Sequence, residues 1–398
     1  MKPITAKSLI GKDEDLPGVL KGRTGYLPCQ YIELAAHQGI VHSQAALMAS
    51  QFQPVSLDLR LGRKGYRIQC SFLPENETVE ERLKDLTLYE VDLTGDGGIL
   101  EKGAIYLIPL LEELDLPPTI YGRTNPKSST GRLDMFTRVI VDGGHRFDEI
   151  PEGYKGKMYL EIIPRSFPVK VRENLALNQL RFVHGPQKIF GKSSLEPYYR
   201  QHPILFDSKG AEIPFDKVKI DSGLFISVEL STPSPDAVIA YKAKTNSNVI
   251  DLSKLKHYDP LDFWEPLRLR PGQKNRLVLE PESFYIMMSK EKISIAPDLL
   301  AEMVAYEPNS GELRTHYAGF FDPGFGWREG AGNLAQGTRA VMEVRPHDVP
   351  FMVEDGQTFC RLKFEKVIET PARIYGEQIH SNYQNQELTL SKYFKNPA

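Results

Sequence analysis

The chain of 398 residues lacks the groups that would tie it to several large protein classes. It has three cysteines, Cys29, Cys70 and Cys360, far apart in sequence. That spacing builds neither a disulfide framework nor a CxxC zinc site, and a reduced setting is expected. An excess of one charge is missing too. The 49 Lys+Arg and 52 Asp+Glu residues leave a net charge of −3, whereas a general nucleic-acid or anionic-membrane binder carries a basic excess. A local basic pocket for one phosphorylated ligand stays open. The longest apolar stretch, around Ala104–Leu111, falls far short of the ~20 residues of a membrane span. Met1–Lys7 runs into Gly11-Lys12-Asp13-Glu14-Asp15 without the apolar core of a secretory signal. These absences predict a soluble, cytoplasmic protein with no nucleic-acid or membrane partner.

Several catalytic signatures are missing as well. No two cysteines lie at ligand-pair spacing, so the zinc-deaminase pattern H-x-E followed by P-C-x-x-C is absent. Neither H-E-x-x-H nor G-x-S-x-G occurs, and the nine histidines show no paired spacing. The βαβ rhythm of a parallel sheet is also missing.

What is present is β. The 31 glycines and 29 prolines are spread along the chain. Between them lie short runs rich in Val, Ile, Tyr and Phe: Gly103–Leu107, Met158–Ile163, Val169–Val171, Leu224–Val228, Phe284–Met288, Ala340–Val344 and Arg361–Phe364. Such runs bounded by turn residues read as strands of a sandwich or barrel. The best helical signal is Pro28–His37, with Pro28 in the first turn and Gly39 closing the segment.

The chain also repeats itself. The segment Leu160–Phe182 aligns without a gap on Met342–Phe364, an offset of 182 residues (343 − 161). Glu161/Glu343, Pro164/Pro346, Pro168/Pro350, Val171/Val353, Leu180/Leu362 and Phe182/Phe364 are identical in register. Two copies of one all-β unit are expected, divided within the loop-like stretch Gly185–Pro214.

Four segments could carry chemistry. Glu161 and Glu343 each sit in an apolar strand, where desolvation raises a carboxyl pKa and suits a general base or acid. A structural ion pair or a water-facing edge would look the same. Lys127-Ser128-Ser129-Thr130-Gly131-Arg132 puts two hydroxyls, a glycine and two cations in six residues. That is a compact anion cradle without Walker spacing, or an ordinary surface loop. From Val55 to Leu61 residues alternate, with Ser56, Asp58 and Arg60 on the polar face of a half-buried strand. Ala318–Gly326 is an aromatic strand end entering an Asp-Pro-Gly turn, which could line a base pocket or be core.

Together these segments resemble the dCTP deaminase branch of the dUTPase-like superfamily, in its long form with two fused units. Gln53–Gly62 is similar to that family's "QP-x-S-[VL]-DLRLG" strand. Ser128-Ser129-x-x-Arg132 is similar to its "R-S-S-x-x-R" element, Ala318–Gly326 to its "A-G-F-[IF]-D-P-G-F-x-G" hairpin, the glutamate strand to its "[IV]-x-L-E-[LF]", and Ser381–Gln386 to its "S-K-Y-Q-x-Q" tail. The resemblance implies two tandem distorted jelly-roll β-barrels forming a pseudo-dimer: an N-terminal extension 1–22, a first repeat 23–200, and a second repeat 201–398 with the tail. It implies zinc-independent deamination of dCTP to dUTP and ammonia, with magnesium carried on the substrate triphosphate.

Site residues follow by position. The resemblance implies a catalytic set of Glu343, Ser128, Arg132 and Glu161. It implies substrate binding by Lys127, Ser129, Ala318, Gly319, Phe320, Asp322, Tyr383, Gln384 and Gln386. The copies depart from the pattern in opposite senses. Aligned through the hairpin, the second has Val304–Asn309 where the first has Lys127–Arg132, and the first lacks Ala-Gly-Phe before its turn. One complete site is therefore expected from Ser128, Ser129 and Arg132 with Ala318 and Glu343, the tail closing over the phosphates. Lys127 and Asn382 replace the family's arginine and lysine, and lysine cannot bind phosphate bidentately. Two rivals remain: a dUTPase or bifunctional enzyme, which would use Asp322, and an inactive nucleotide-binding regulator. Both a monomer and a homo-oligomer are compatible with the sequence.

Overall fold

Alternating apolar residues dominate this chain, and strands form where they occur. The computed structural model describes residues 15–396 apart from 188–189, 232–233, 235, 270–271, 273, 306–312, 316–318, 329–336 and 377–382. The chain divides into two compact units. One comprises Met1–Gln187, Asn248–Leu255 and Lys366–Arg373; the other comprises Lys188–Ser247, Lys256–Glu365 and Ile374–Ala398. The two are tandem, jelly-roll-like and mainly β.

In the first unit, strand Ala176–His184 lies between Gly25–Tyr26 and Ile120–Pro126, which pairs in turn with Glu149–Ile150; Leu57–Arg60 also pairs with Ala176–His184. A second sheet runs Thr87–Asp92, Lys64–Ile68, Ile105–Asp115, Lys155–Pro164, Met135–Val141. A small third sheet places Val169–Val171 between antiparallel Gly98–Leu100 and parallel Ile250–Asp251. The segment after Lys366 also belongs to this unit. Glu369 accepts hydrogen bonds from Arg23, Gln30 and Tyr31 at 2.8–2.9 Å.

The second unit repeats this plan. Its Tyr285–Ile293 and Thr338–Pro346 pair as Ile105–Asp115 and Lys155–Pro164 do, and Leu224–Ser227 pairs with Thr358–Lys366 as Leu57–Arg60 does with Ala176–His184. Strands Ala176–His184 and Thr358–Lys366 begin and end 182 residues apart, the offset read from the sequence. The core holds Leu224, Ile226, Met287, Ala340, Met342, Leu362 and Phe364.

The helix expected at Pro28–His37 spans Cys29–His37, with Pro28 at its N-cap. Two readings need correction. Gly185–Pro214 is not simply a loop, because Lys192–Gln201 is a helix within it that buries Leu195 and Tyr199. The strand through Leu57–Arg60 is buried on both faces, not on one. Its polar side chains meet partners instead of water. Ser56 Oγ donates to Gln179 Oε1 at 3.2 Å, Lys127 pairs with Asp58, and Arg60 Nε donates to Glu112 at 2.7 Å.

Candidate active site

The cradle sits at a strand-to-helix junction of the first unit. Strand Ile120–Pro126 is locked against Ala176–His184, and Lys127 then caps one helical turn, Ser128–Gly131. The turn closes on its own backbone: Thr130 N–H and Gly131 N–H donate to the Lys127 carbonyl at 2.8 and 3.1 Å. It is tied down from outside as well. Lys127 N–H and Thr130 Oγ1 both donate to the Leu177 carbonyl, at 3.0 and 2.8 Å. Beyond the turn, Asp134 adopts a left-handed φ of 56° and accepts from Ser166 Oγ at 2.6 Å. Ser129, Thr130 and Arg132 are consequently buried and Ser128 half-buried. A surface loop would leave them wet, so that reading fails; this is a built turn. The Lys127 ammonium is not a free cation, since it pairs with Asp58 on the neighbouring strand.

The two strand glutamates lie in different surroundings. Glu161 is fully buried in Lys155–Pro164, directly across the ladder from Arg138. Arg138 Nε donates to its Oε1 at 2.9 Å, and Nη2 donates to the same oxygen. Glu343 is buried in Thr338–Pro346, every residue of which is buried, and lies opposite Ile286. Two residues on, Arg345 is held by the carbonyl and carboxylate of Glu282.

Hairpin and tail come together in the second unit. Phe320–Phe321 pairs with Leu299–Ala305, and Met303 N–H donates to the Gly319 carbonyl at 3.1 Å. The turn Asp322–Gly326 requires its glycines. Gly326 has a φ of 65°, and a Cβ there would lie 2.1 Å from the Ile293 carbonyl oxygen. Asp322 and Phe320 are buried. From the tail, Gln384 accepts from Gly326 N–H at 3.1 Å, and Gln386 donates to the Arg339 carbonyl at 2.9 Å. Tyr383 is buried, its hydroxyl accepting from Lys392 N–H at 3.2 Å. The tail residues meant for phosphates therefore also anchor the tail to its own unit. Ala318 lies outside the described residues, as do Ser381 and Asn382.

Strand ends revise the alignment of the copies: Ile120–Pro126 and Leu299–Ala305 are seven residues each and start 179 apart (299 − 120). Arg123 pairs with Glu149 in the first unit and Glu302 with Phe320 in the second. Matching those pairs puts Tyr306, not Val304, at the position of Lys127. Val304 and Ala305 are the end of the strand. In that alignment Glu307, Pro308 and Gly311 fall at the positions of Ser128, Ser129 and Arg132.

Sequence reasoning missed Asp148 and Arg138. Asp148 has a left-handed φ of 62° and accepts from Thr124 Oγ1 at 2.6 Å and Val139 N–H at 2.9 Å. Its register partner in the second unit is Gly319, the only residue type that takes that conformation freely. Burial pushes the Asp148 carboxyl up to about 6. A raised carboxyl contributes stability below its unfolded value near 3.9, and that stability is lost as pH rises through the folded value. Asp148→Asn keeps an acceptor and tolerates the backbone. It should therefore raise stability by about 1 kcal/mol at pH 8 and by nearly nothing below pH ~4, as read from thermal midpoints across that range.

A separate cleft of about 700 Å³ opens in the first unit, lined by Lys64, Tyr66, Glu80, Lys157 and Tyr159 among others. Two of its cations are paired within it, Lys64 with Glu90 and Lys157 with Glu80, both at 2.8 Å. It contains none of the cradle residues. Among the described residues no group of three His, Cys, Asp or Glu side chains could hold a metal ion, and no helix is long and apolar enough to cross a membrane.

Comparison with known proteins agrees with this architecture. Residues 23–186 match the N-terminal domain of 2'-deoxycytidine 5'-triphosphate deaminase, and residues 209–394 match its C-terminal domain. The crystal structure of 2'-deoxycytidine 5'-triphosphate deaminase from Agrobacterium tumefaciens is similar with a TM-score of 0.79 and 41% identity, covering 88% of this chain and 99% of that one. The dCTP deaminase of Ignicoccus hospitalis is 28% identical over 152 residues, 38% of this chain and 79% of its own. A "dCTP deaminase, dUMP-forming" from Corynebacterium kroppenstedtii is 30% identical over 152 residues, 37% of this chain and 78% of its own. With both of its units matched and a solved relative aligned over nearly its full length, this chain belongs to the dCTP deaminase family.

Proposed function

We propose that this protein converts dCTP and water into dUTP and ammonia, with Glu343 as the general base. The carboxylate takes a proton from the water that adds to C4 and passes it to N3 of the ring. A second proton goes to the amino nitrogen, and the C4–N4 bond breaks. Ser128 and Arg132 match the family's residues that orient and polarise the reacting centre, and Ser129 and Lys127 match those that hold phosphates, Lys127 sharing its charge with Asp58. Gly319, Phe320 and Asp322 shape the base pocket beside Ala318, and Gln384 fixes the turn that carries Asp322. Magnesium enters as part of the substrate, bound to its triphosphate. No step needs zinc, because carboxylate, hydroxyls and cations supply the proton transfers and the polarisation.

One observation supports the choice of base: the copy that carries Glu343 keeps the Ala-Gly-Phe hairpin that the copy of Glu161 lacks. The test is incubation of the protein with dCTP and magnesium. Stoichiometric ammonia and dUTP are expected, and binding without turnover would favour a regulator. The name of the Corynebacterium relative favours a second reading, in which the dUTP is cut further to dUMP. Chromatography of the products separates the two.

A further inference from the structure

The first unit keeps the strand glutamate but not its surroundings. Matched on strands Ile120–Pro126 and Leu299–Ala305 and on their hairpin partners, Phe147 and Asp148 align in sequence with Ala318 and Gly319, a benzyl side chain against a methyl. The Phe147 ring packs against Arg138, with the guanidinium carbon 3.6 Å from the Phe147 centroid and 4.6 Å from that of Phe136. Stacking on an aromatic face is where a guanidinium gains most from ring electrons. Arg138 Nη2 also donates to Ser71 Oγ at 2.8 Å. Nε and Nη2 are both aimed at Glu161.

We propose that Arg138 and Phe147 are a built-in occupant of the first unit's base pocket, so that each chain has one open site. A guanidinium is a planar N–C–N group with donors along its edge. It lies against an aromatic ring and presents that edge to a carboxylate, as an aminopyrimidine would. Phe147 is half-buried and packs on the cluster of Ile68, Val79, Leu83, Leu107, Ile140 and Tyr159, so the occupant is held from outside by a folded core. Displacing it would strand a fully buried carboxylate without its cation, an arrangement proteins avoid. The inference rests on the reading that the strand glutamate meets the pyrimidine.

Equilibrium dialysis of the wild-type protein against dUTP and magnesium should give one nucleotide per chain, and two would overturn the proposal. An independent arm uses Arg138→Met/Glu161→Leu, which replaces the ion pair by apolar groups of similar size. Arg138→Met alone should lower the thermal midpoint, and the double variant should recover most of that loss. The activity arm uses Arg138→Met, which leaves Glu161 in place: its kcat and KM for dCTP per folded chain should stay within about twofold of wild type, because the open site lies elsewhere. Loss of half or more of the turnover per folded chain in Arg138→Met would refute the built-in occupant alone. A wild-type chain that neither binds dUTP nor turns over dCTP would refute the function itself.

Discussion

Glu343→Gln is expected to lower kcat for dCTP deamination by about a thousandfold, within the 10²–10⁴ range of a general base. Glutamine keeps the size and one acceptor oxygen of the side chain but cannot take a proton from water. The strand should survive the change. Glu343 lies in the middle of nine consecutive buried residues, paired through its backbone with Ile286, and amide for carboxylate leaves that ladder intact. KM for dCTP should change little, since the phosphates are held elsewhere. Ammonia release at saturating dCTP gives kcat, and circular dichroism checks the fold. The matched control is Glu161→Gln, which should keep most of the turnover. A control that dies while Glu343→Gln stays active would reverse the assignment.

The second large effect is on stability. Glu112 is fully buried and accepts three hydrogen bonds: from Arg60 N–H and Arg60 Nε, both at 2.7 Å, and from Gln51 Nε2 at 2.9 Å. It neutralises a guanidinium that is itself almost wholly buried. The remaining Arg60 nitrogens donate to the Ala46 and Ala45 carbonyls and to Ser43 Oγ, so the arginine cannot swing out without breaking a loop. Glu112→Gln leaves that charge uncompensated and turns an amide NH₂ toward donors. A cost of about 3–5 kcal/mol is expected, the range for breaking one side of a buried pair. In a unit of this size that lowers the thermal midpoint by roughly 6–20 °C. A fall of less than about 2 °C would show that the pair contributes little. The second unit uses the same device with a neutral partner: Glu291 accepts from Ser227 N–H and Oγ at 2.8 and 2.7 Å.

The strand runs and the repeat were legible because both depend on local sequence. Val169–Val171 forms as read, and the 182-residue offset reappears in strand boundaries. The helix Val79–Leu86 was legible too, though it was passed over. Thr78 and Glu81 form a capping box, visible as Thr-x-x-Glu ahead of the turn. Other features were out of reach for a physical reason. Whether Asp58, Arg60 and Glu161 face water, substrate or a counter-ion depends on partners 69, 52 and 23 residues away. No local pattern encodes such partners. The cradle was legible as a motif, but its burial was not, because the Leu177 carbonyl that ties it down comes from another strand.

The short parallel strand Ile250–Asp251 has a consequence for the gene as well as for the fold. The first unit takes this strand, and the Glu369 segment that holds Arg23 and Tyr31, from chain that is encoded after the second unit has begun. A polypeptide ending at Gln187 would leave the Val169–Val171 edge bare, and bare edges recruit strands from other chains. Expression of residues 1–187 alone should therefore give aggregates.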